Sequence, residues 1–132
     1  MHRVFKIRMV KTTKITSKIL CETIIEGMQE NKASDIVVLD LRKIENAVTD
    51  FFVICSGEST TQVDGIASSV LRHTREEIQE KPWQTEGKGT SEWVLLDYVS
   101  VVVHIFYKTA RPHYDIEDLW SDAKRTDIPN LN

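Results

Sequence analysis

Trp93-Val94-Leu95-Leu96-Asp97-Tyr98 and, two residues on, Val101-Val102-Val103-His104-Ile105-Phe106 are apolar runs that meet at a short turn. Their β-branched and aromatic content reads as two strands of a hairpin turning around Tyr98–Val101. Alternation places Trp93, Leu95 and Asp97 on one face and Val94, Leu96 and Tyr98 on the other. One set must pack on helices. The other either lies open for a partner or is sandwiched under a second helical layer, and residue types alone leave both readings standing. Trp93, Asp97, Tyr98 and His104 are more polar than a purely structural hairpin requires. Trp and Tyr on a half-exposed strand anchor protein interfaces. The stretch therefore points to a binding surface more than to a catalytic pocket.

Upstream of the hairpin, Thr16 or Ser17 can cap a first helix running to about Asn31, with Ile19, Leu20, Ile24 and Met28 as its apolar stripe. Ile36–Leu39 and Phe51–Cys55 are short β-branched or aromatic runs, as in strands covered on both faces. Between them Arg42–Thr49 is polar and irregular. Ser59-Thr60-Thr61-Gln62 reads as a capping box that opens a long helix to about Glu80. Val63, Ile66, Ala67, Val70, Leu71 and Ile78 mark its buried face, and Pro82 forbids continuation. Trp83–Glu86 suits a short edge strand, and Gly87–Ser91 a loop. After the hairpin, Arg111-Pro112 can open a short helix carrying Tyr114, Ile116, Leu119 and Trp120. The tail from Lys124 is expected to fray. These elements predict an α/β (α+β) domain: a three-layer α-β-α sandwich around a mixed sheet of about five strands. The single domain spans residues 16–123, between an N-terminal tail of 1–15 and a C-terminal tail of 124–132.

A chain of 132 residues, 41% apolar and 28% charged, can bury a core without staples. Its formal net charge of -3 argues against a binder that works by blanketing phosphates. No apolar run approaches the roughly 20 residues that span a bilayer. Arg3, Lys6, Arg8, Lys11, Lys14 and Lys18 precede the first acid, Glu22. We read this as an extended basic tail rather than a targeting signal, with Met9 as an alternative start. Cys21 and Cys55 have no metal-ligand or C-x-x-C spacing and are expected as buried, reduced thiols.

Catalytic readings find few residues. His2, His73, His104 and His113 show no zinc spacing, so no metal is expected and His104 reads as a wall or contact residue. Ser56–Ser59 before a helix could cradle an anion, but Asp40, Asp50 and Asp97 form no D-x-D pair to hold the metals of nucleotidyl transfer. Cys55-Ser56-Gly57 lacks the G-x-S-x-G pattern and a base. No cofactor and no small-molecule substrate are expected.

Asp50–Val63, Glu86-Gly87, Glu92–Tyr98, Val101–Phe106, Arg111, Tyr114 and Glu117–Trp120, taken in order, resemble the ribosomal silencing factor (Iojap/RsfS) family over about Thr16 to Ala123. The resemblance implies a nucleotidyltransferase-like core without catalytic acids, and no enzyme activity. It implies a partner, the large ribosomal subunit, bound through its ribosomal protein number fourteen so that subunit joining is blocked and translation repressed under nutrient limitation. It further implies a bacterial cytoplasmic location and a homodimer off the ribosome. Carried over by position, the contact surface comprises Trp93, Leu95, Leu96, Asp97 and Tyr98, with His104 and Phe106 from the adjoining strand. A nucleotidyltransferase-like enzyme and an RNA-binding assembly factor are the alternatives. One departure stands out. The family commonly has Gly-Asp or Gly-Ser where this chain has Val99-Ser100, and a β-branched Val resists positive φ, so the turn is expected not to be a glycine-dependent primed type.

Overall fold

The computed structural model describes residues 15–131. The basic segment and the choice of start lie almost wholly outside them. Thr16 caps helix α1 (Ser17–Glu30), its hydroxyl accepting the Ile19 N–H at 3.1 Å. Strands β1 (Ser34–Asp40) and β2 (Phe51–Gly57) follow. Helix α2 (Thr60–Ile78) starts at Ser59, whose hydroxyl accepts the Gln62 N–H at 3.0 Å. The Gln62 carboxamide reaches one residue further back than a standard capping box, to the Glu58 N–H at 2.6 Å. It also donates to the Asn31 and Lys32 carbonyls, pinning the end of α1 to the start of α2. Then come β3 (Gln84–Glu86), β4 (Trp93–Asp97), β5 (Val101–Tyr107), the single-turn helices α3 (Arg111–Tyr114) and α4 (Ile116–Leu119), and β6 (Lys124–Ile128).

The strands form one mixed sheet in the order β3-β4-β5-β2-β1-β6. Among the described residues, only β2 and β5 run parallel. The expected mixed α/β architecture holds, with six strands rather than five. The extra strand corrects the expectation of a frayed tail: Lys124–Ile128 pairs with Ile36–Asp40. Four of its five side chains are exposed, so no apolar alternation announces it.

The layers are unequal. Both long helices cover one face, where Leu20, Ile24 and Met28 of α1 and Val63, Ile66 and Val70 of α2 meet Val53, Cys55, Val94, Leu96, Val103 and Ile105. Ile19, expected in the α1 stripe, is instead 37% exposed. The helices approach closely at Gly27, where a Cβ would stand 2.9 Å from the Val70 backbone. Among the described residues, the opposite face carries only α3, α4 and the 41–50 loop, over a smaller core of Val37, Leu39, Leu41, Ile54, Phe106 and Ile116. The short C-terminal helix expected from Arg111 is two turns, broken where Asp115 takes φ 44°.

The hairpin turn is not a glycine-dependent primed type, as expected, but not for the reason expected. Val99 does take positive φ, 75°. The Ser100 N–H donates to the Tyr98 carbonyl at 2.9 Å, the three-residue γ-turn in its rare, strained form. The Asp97 carboxylate holds it by accepting the Val99 N–H at 2.8 Å.

Candidate interaction surface

The β4–β5 hairpin splits its residues by parity. Trp93, Leu95 and Asp97 are partly exposed on the lightly covered face. Leu96 and Tyr98 lie on the helix face, 0% and 8% exposed. The Tyr98 hydroxyl is paired with Thr74 of α2 at 2.9 Å, and burial pushes its pKa up to about 12. Neither side chain can reach a partner while the fold is intact. Their place in the expected contact set is therefore corrected: they are core residues, and only alternate positions of the run are accessible. His104 and Phe106 share the face of Trp93 but lie beneath other side chains, 4% and 0% exposed. They form a floor rather than a contact layer.

Several residues that the hairpin alone does not reveal complete this face. Cross-strand partners share a face, and β2 is registered on β5 with Phe52 beside Val102 and Ile54 beside His104. Phe52 meets the His104 ring edge-on at 4.6 Å and Trp120 at 5.8 Å between centroids. Trp93 stacks on Phe106 at 5.2 Å and touches Tyr114 at 4.4 Å. The result is a continuous aromatic surface drawn from β2, β4, β5, α3 and the end of α4. The unbroken apolar run of Phe51–Cys55 hides Phe52, whose place on this face follows from strand parity only once the register of β2 on β5 is known. Tyr114, half exposed, and Leu119, 76% exposed, stand at its edge. Along the outer side runs β3, registered with Gln84 beside Asp97 and Glu86 beside Leu95, and exposed at all three residues. Leu95 thus sits between two carboxylates, Glu86 and Asp97. Gly87, φ 86°, follows the strand; a Cβ there would overlap the Trp93 carbonyl at 1.9 Å, so this turn admits only glycine so close to β4.

Buried polar groups brace the covering segment. The Arg111 guanidinium pairs with Glu117 at 2.8 Å, both side chains mostly buried. It also donates to the Ser56 hydroxyl and the Asp35 carbonyl at 2.8 Å each. This fork ties α3 and α4 to the ends of β1 and β2. A cavity of about 260 Å³ beside it is lined by Asp35, Ser56, Lys108, Arg111, Pro112, Asp115 and Glu117.

The geometry disfavours the catalytic alternatives. Asp40 on β1 and Asp97 on β4 are separated by three strand spacings, about 14 Å, too far to share a metal. Asp40 is engaged by the Arg42 guanidinium, which lowers its pKa. At the α2 N-terminus the Glu58 and Gln62 amides are taken by the Gln62 and Ser59 side chains, so they are not free to cradle a phosphate. Cys55 is fully buried, which pushes its thiol up to about 12, the reverse of an activated nucleophile. Cys21 is likewise buried and raised. Among the described residues no group of three or more His, Cys, Asp or Glu could hold a metal ion. No helix there is long and apolar enough to cross a membrane.

Comparison with known proteins supplies what an interaction surface alone does not. A Bacillus subtilis protein named ribosomal silencing factor RsfS is 41% identical over 100 residues, covering 75% of this chain and 82% of its own. A crystal structure of a Chromobacterium violaceum protein superposes with a TM-score of 0.76 at 30% identity, covering 88% of this chain and 95% of that one. A Mus musculus protein named mitochondrial assembly of ribosomal large subunit protein 1 is 28% identical over 81% of this chain and 47% of its own length. The sequence model described as ribosomal silencing factor during starvation matches residues 14–132, and the chain belongs to that family, whose members are ribosome-associated regulators of translation rather than enzymes.

Proposed function

We propose that the protein docks the Trp93–Leu95–Asp97 face on the large ribosomal subunit, through ribosomal protein number fourteen, and blocks subunit joining by its bulk. The observation that carries this reading is the aromatic and aliphatic sheet face that the two long helices leave to one side, with Leu95 between Glu86 and Asp97. An apolar centre with an acidic rim suits a basic protein surface, because the rim charges steer approach while the centre supplies affinity. The name of the mouse relative, which specifies assembly of the ribosomal large subunit, favours that subunit over the small one. Repression under nutrient limitation, in the bacterial cytoplasm, follows from the same reading. It requires no turnover and no cofactor. A homodimer off the ribosome would be a storage form, and sedimentation equilibrium of the free protein reads it directly.

Co-sedimentation with purified large and small subunits tests the docking face. Trp93→Ala removes the central anchor at a cost of about 2 kcal/mol, or about thirtyfold in affinity. Leu95→Asp places a third carboxylate between Glu86 and Asp97 and is expected to abolish binding. Undiminished large-subunit binding by both folded variants would refute the face, and binding with no effect on subunit joining would refute the occlusion.

A further inference from the structure

The Trp93 indole is held at three points. Phe106 lies under it, Tyr114 beside it, and its N–H donates to His104 Nδ1 at 3.1 Å. An indole N–H can only donate, so Nδ1 must present its lone pair. The imidazole is then neutral with its proton on Nε2. That Nε2–H is buried and finds no acceptor. Among the described residues it shares this condition with one other buried side-chain atom, the Thr49 hydroxyl. An orphaned buried donor disfavours the folded state. A phenylalanine or leucine would fill the same space between Phe52 and Phe106 without that penalty, so packing does not account for a histidine here. The feature unique to the imidazole in this pocket is the accepting nitrogen turned toward Trp93.

We infer that His104 is a positioning residue that fixes the Trp93 indole in its docking orientation before the ribosome arrives. His104 is itself too buried to touch a partner. It is placed to act because Trp93 on β4 pairs directly with Phe106 and therefore lies diagonal to His104, within reach of large aromatic side chains. Stacking on Phe106 and the tilted contact with Tyr114 fix how deep the indole sits. Only the hydrogen bond fixes which way its ring is turned, because stacking alone tolerates a flipped ring that exposes the N–H edge. A pre-oriented anchor loses less side-chain freedom on binding. The inference rests on the reading that Trp93 anchors the docking face.

Two substitutions separate positioning from packing. His104→Phe keeps the volume and removes the acceptor. His104→Asn shrinks the side chain but puts its carbonyl oxygen close to where Nδ1 stood. Large-subunit affinity of the full chain is expected to fall about threefold to tenfold in His104→Phe, from an anchor left to rotate, while thermal stability holds or rises. His104→Asn is expected to melt lower, through the void it leaves, yet bind within about twofold of wild type. The Trp93 indole N–H resonance, identified among the three tryptophans by its absence in Trp93→Phe, reports the bond without the ribosome. It is expected downfield and slow to exchange in wild type and His104→Asn, and shifted with fast exchange in His104→Phe. Affinity that follows melting temperature across the two variants would overturn the inference in favour of packing. Wild-type affinity in His104→Phe, with Trp93→Ala impaired, would overturn it while leaving the docking face standing. Undiminished binding by Trp93→Ala would remove Trp93 as the anchor instead, and with it the docking role of His104, while the indole resonance would still decide whether His104 orients the ring.

Discussion

Val99→Gly should stabilise this protein. Val99 holds φ 75° at the hairpin tip, a conformation that a β-branched residue adopts at a cost of about 1–3 kcal/mol and glycine adopts freely. Its side chain is 64% exposed, so truncation forfeits little burial. Against the relief stands the greater freedom of glycine in the unfolded chain, about 0.5–1 kcal/mol. The balance is a gain of about 1 kcal/mol, which in a domain of this length raises Tm by about 4 °C. Urea denaturation with an unchanged m-value is the assay. A second measurement sharpens it. The Asp97 carboxylate accepts the Val99 N–H at 2.8 Å and so holds the strained turn. Asp97→Ala should therefore cost about 1 kcal/mol in the wild-type turn and distinctly less beside Val99→Gly, a coupling visible in a double-mutant cycle. A Val99→Gly chain no more stable than wild type would refute the strain, and strict additivity would refute the role given to Asp97.

Other consequences are as direct. Burial lowers the His104 pKa from 6.5 to about 4, with only Glu117 opposing. The unfolded chain therefore takes up a proton that the folded chain refuses, so stability falls as pH drops from about 7 to about 4. At about 1.4 kcal/mol for each pH unit between the two values the loss approaches about 3 kcal/mol. His104→Asn should flatten that part of the profile. Arg111→Ala strands Glu117 in a mostly buried site and removes the donor to Ser56, and chemical denaturation should show a loss of about 3 kcal/mol. Replacing the pair together, Arg111→Met with Glu117→Leu, should recover most of it. Gly27→Val forces side-chain atoms against the α2 backbone, where even a Cβ stands 2.9 Å from Val70, and should cost about 1–3 kcal/mol by the same measurement.

The elements that were legible in the sequence are those held by local chemistry. Thr16 and Ser59 start the two long helices where their hydroxyls can accept N–H groups one turn on. The β-branched runs of β1, β2 and β5 are strands with neighbours on both edges, fully covered on one face and thinly on the other, so apolar residues continue almost without a break. β6 was illegible for the opposite reason. Its Lys124-Arg125-Thr126-Asp127 side chains face solvent, and what holds it is backbone pairing to β1 eighty or more residues earlier. The break at Asp115 was hidden too, since an apolar spacing of Tyr114, Ile116, Leu119 and Trp120 suits one helix until the backbone is seen to turn left-handed.

The interaction surface divides along the same line. Strand parity already sorted Trp93, Leu95 and Asp97 from Leu96 and Tyr98, but parity does not say which set the helices take. That choice is made by α1 and α2, which pack against Val94 and Leu96 because their own stripes match the apolar, helix-facing positions of β2 and β5. Those positions are mostly Val, Ile, Leu and Cys, with Phe51 and Tyr107 as the aromatic exceptions, and the face left over carries Phe52, Trp93, His104 and Phe106. A face so composed is poorly filled by two single-turn helices and a loop. Tyr114 and Trp120 close part of it, and the portion over Leu95 and Val102 stays partly exposed. The partly exposed aromatic face is thus what an unequal division of cover leaves between the two sides of one sheet. If that face docks on the ribosome as proposed, a variant with an added helical turn covering Leu95 should keep its stability and lose large-subunit co-sedimentation, and undiminished binding would refute the placement.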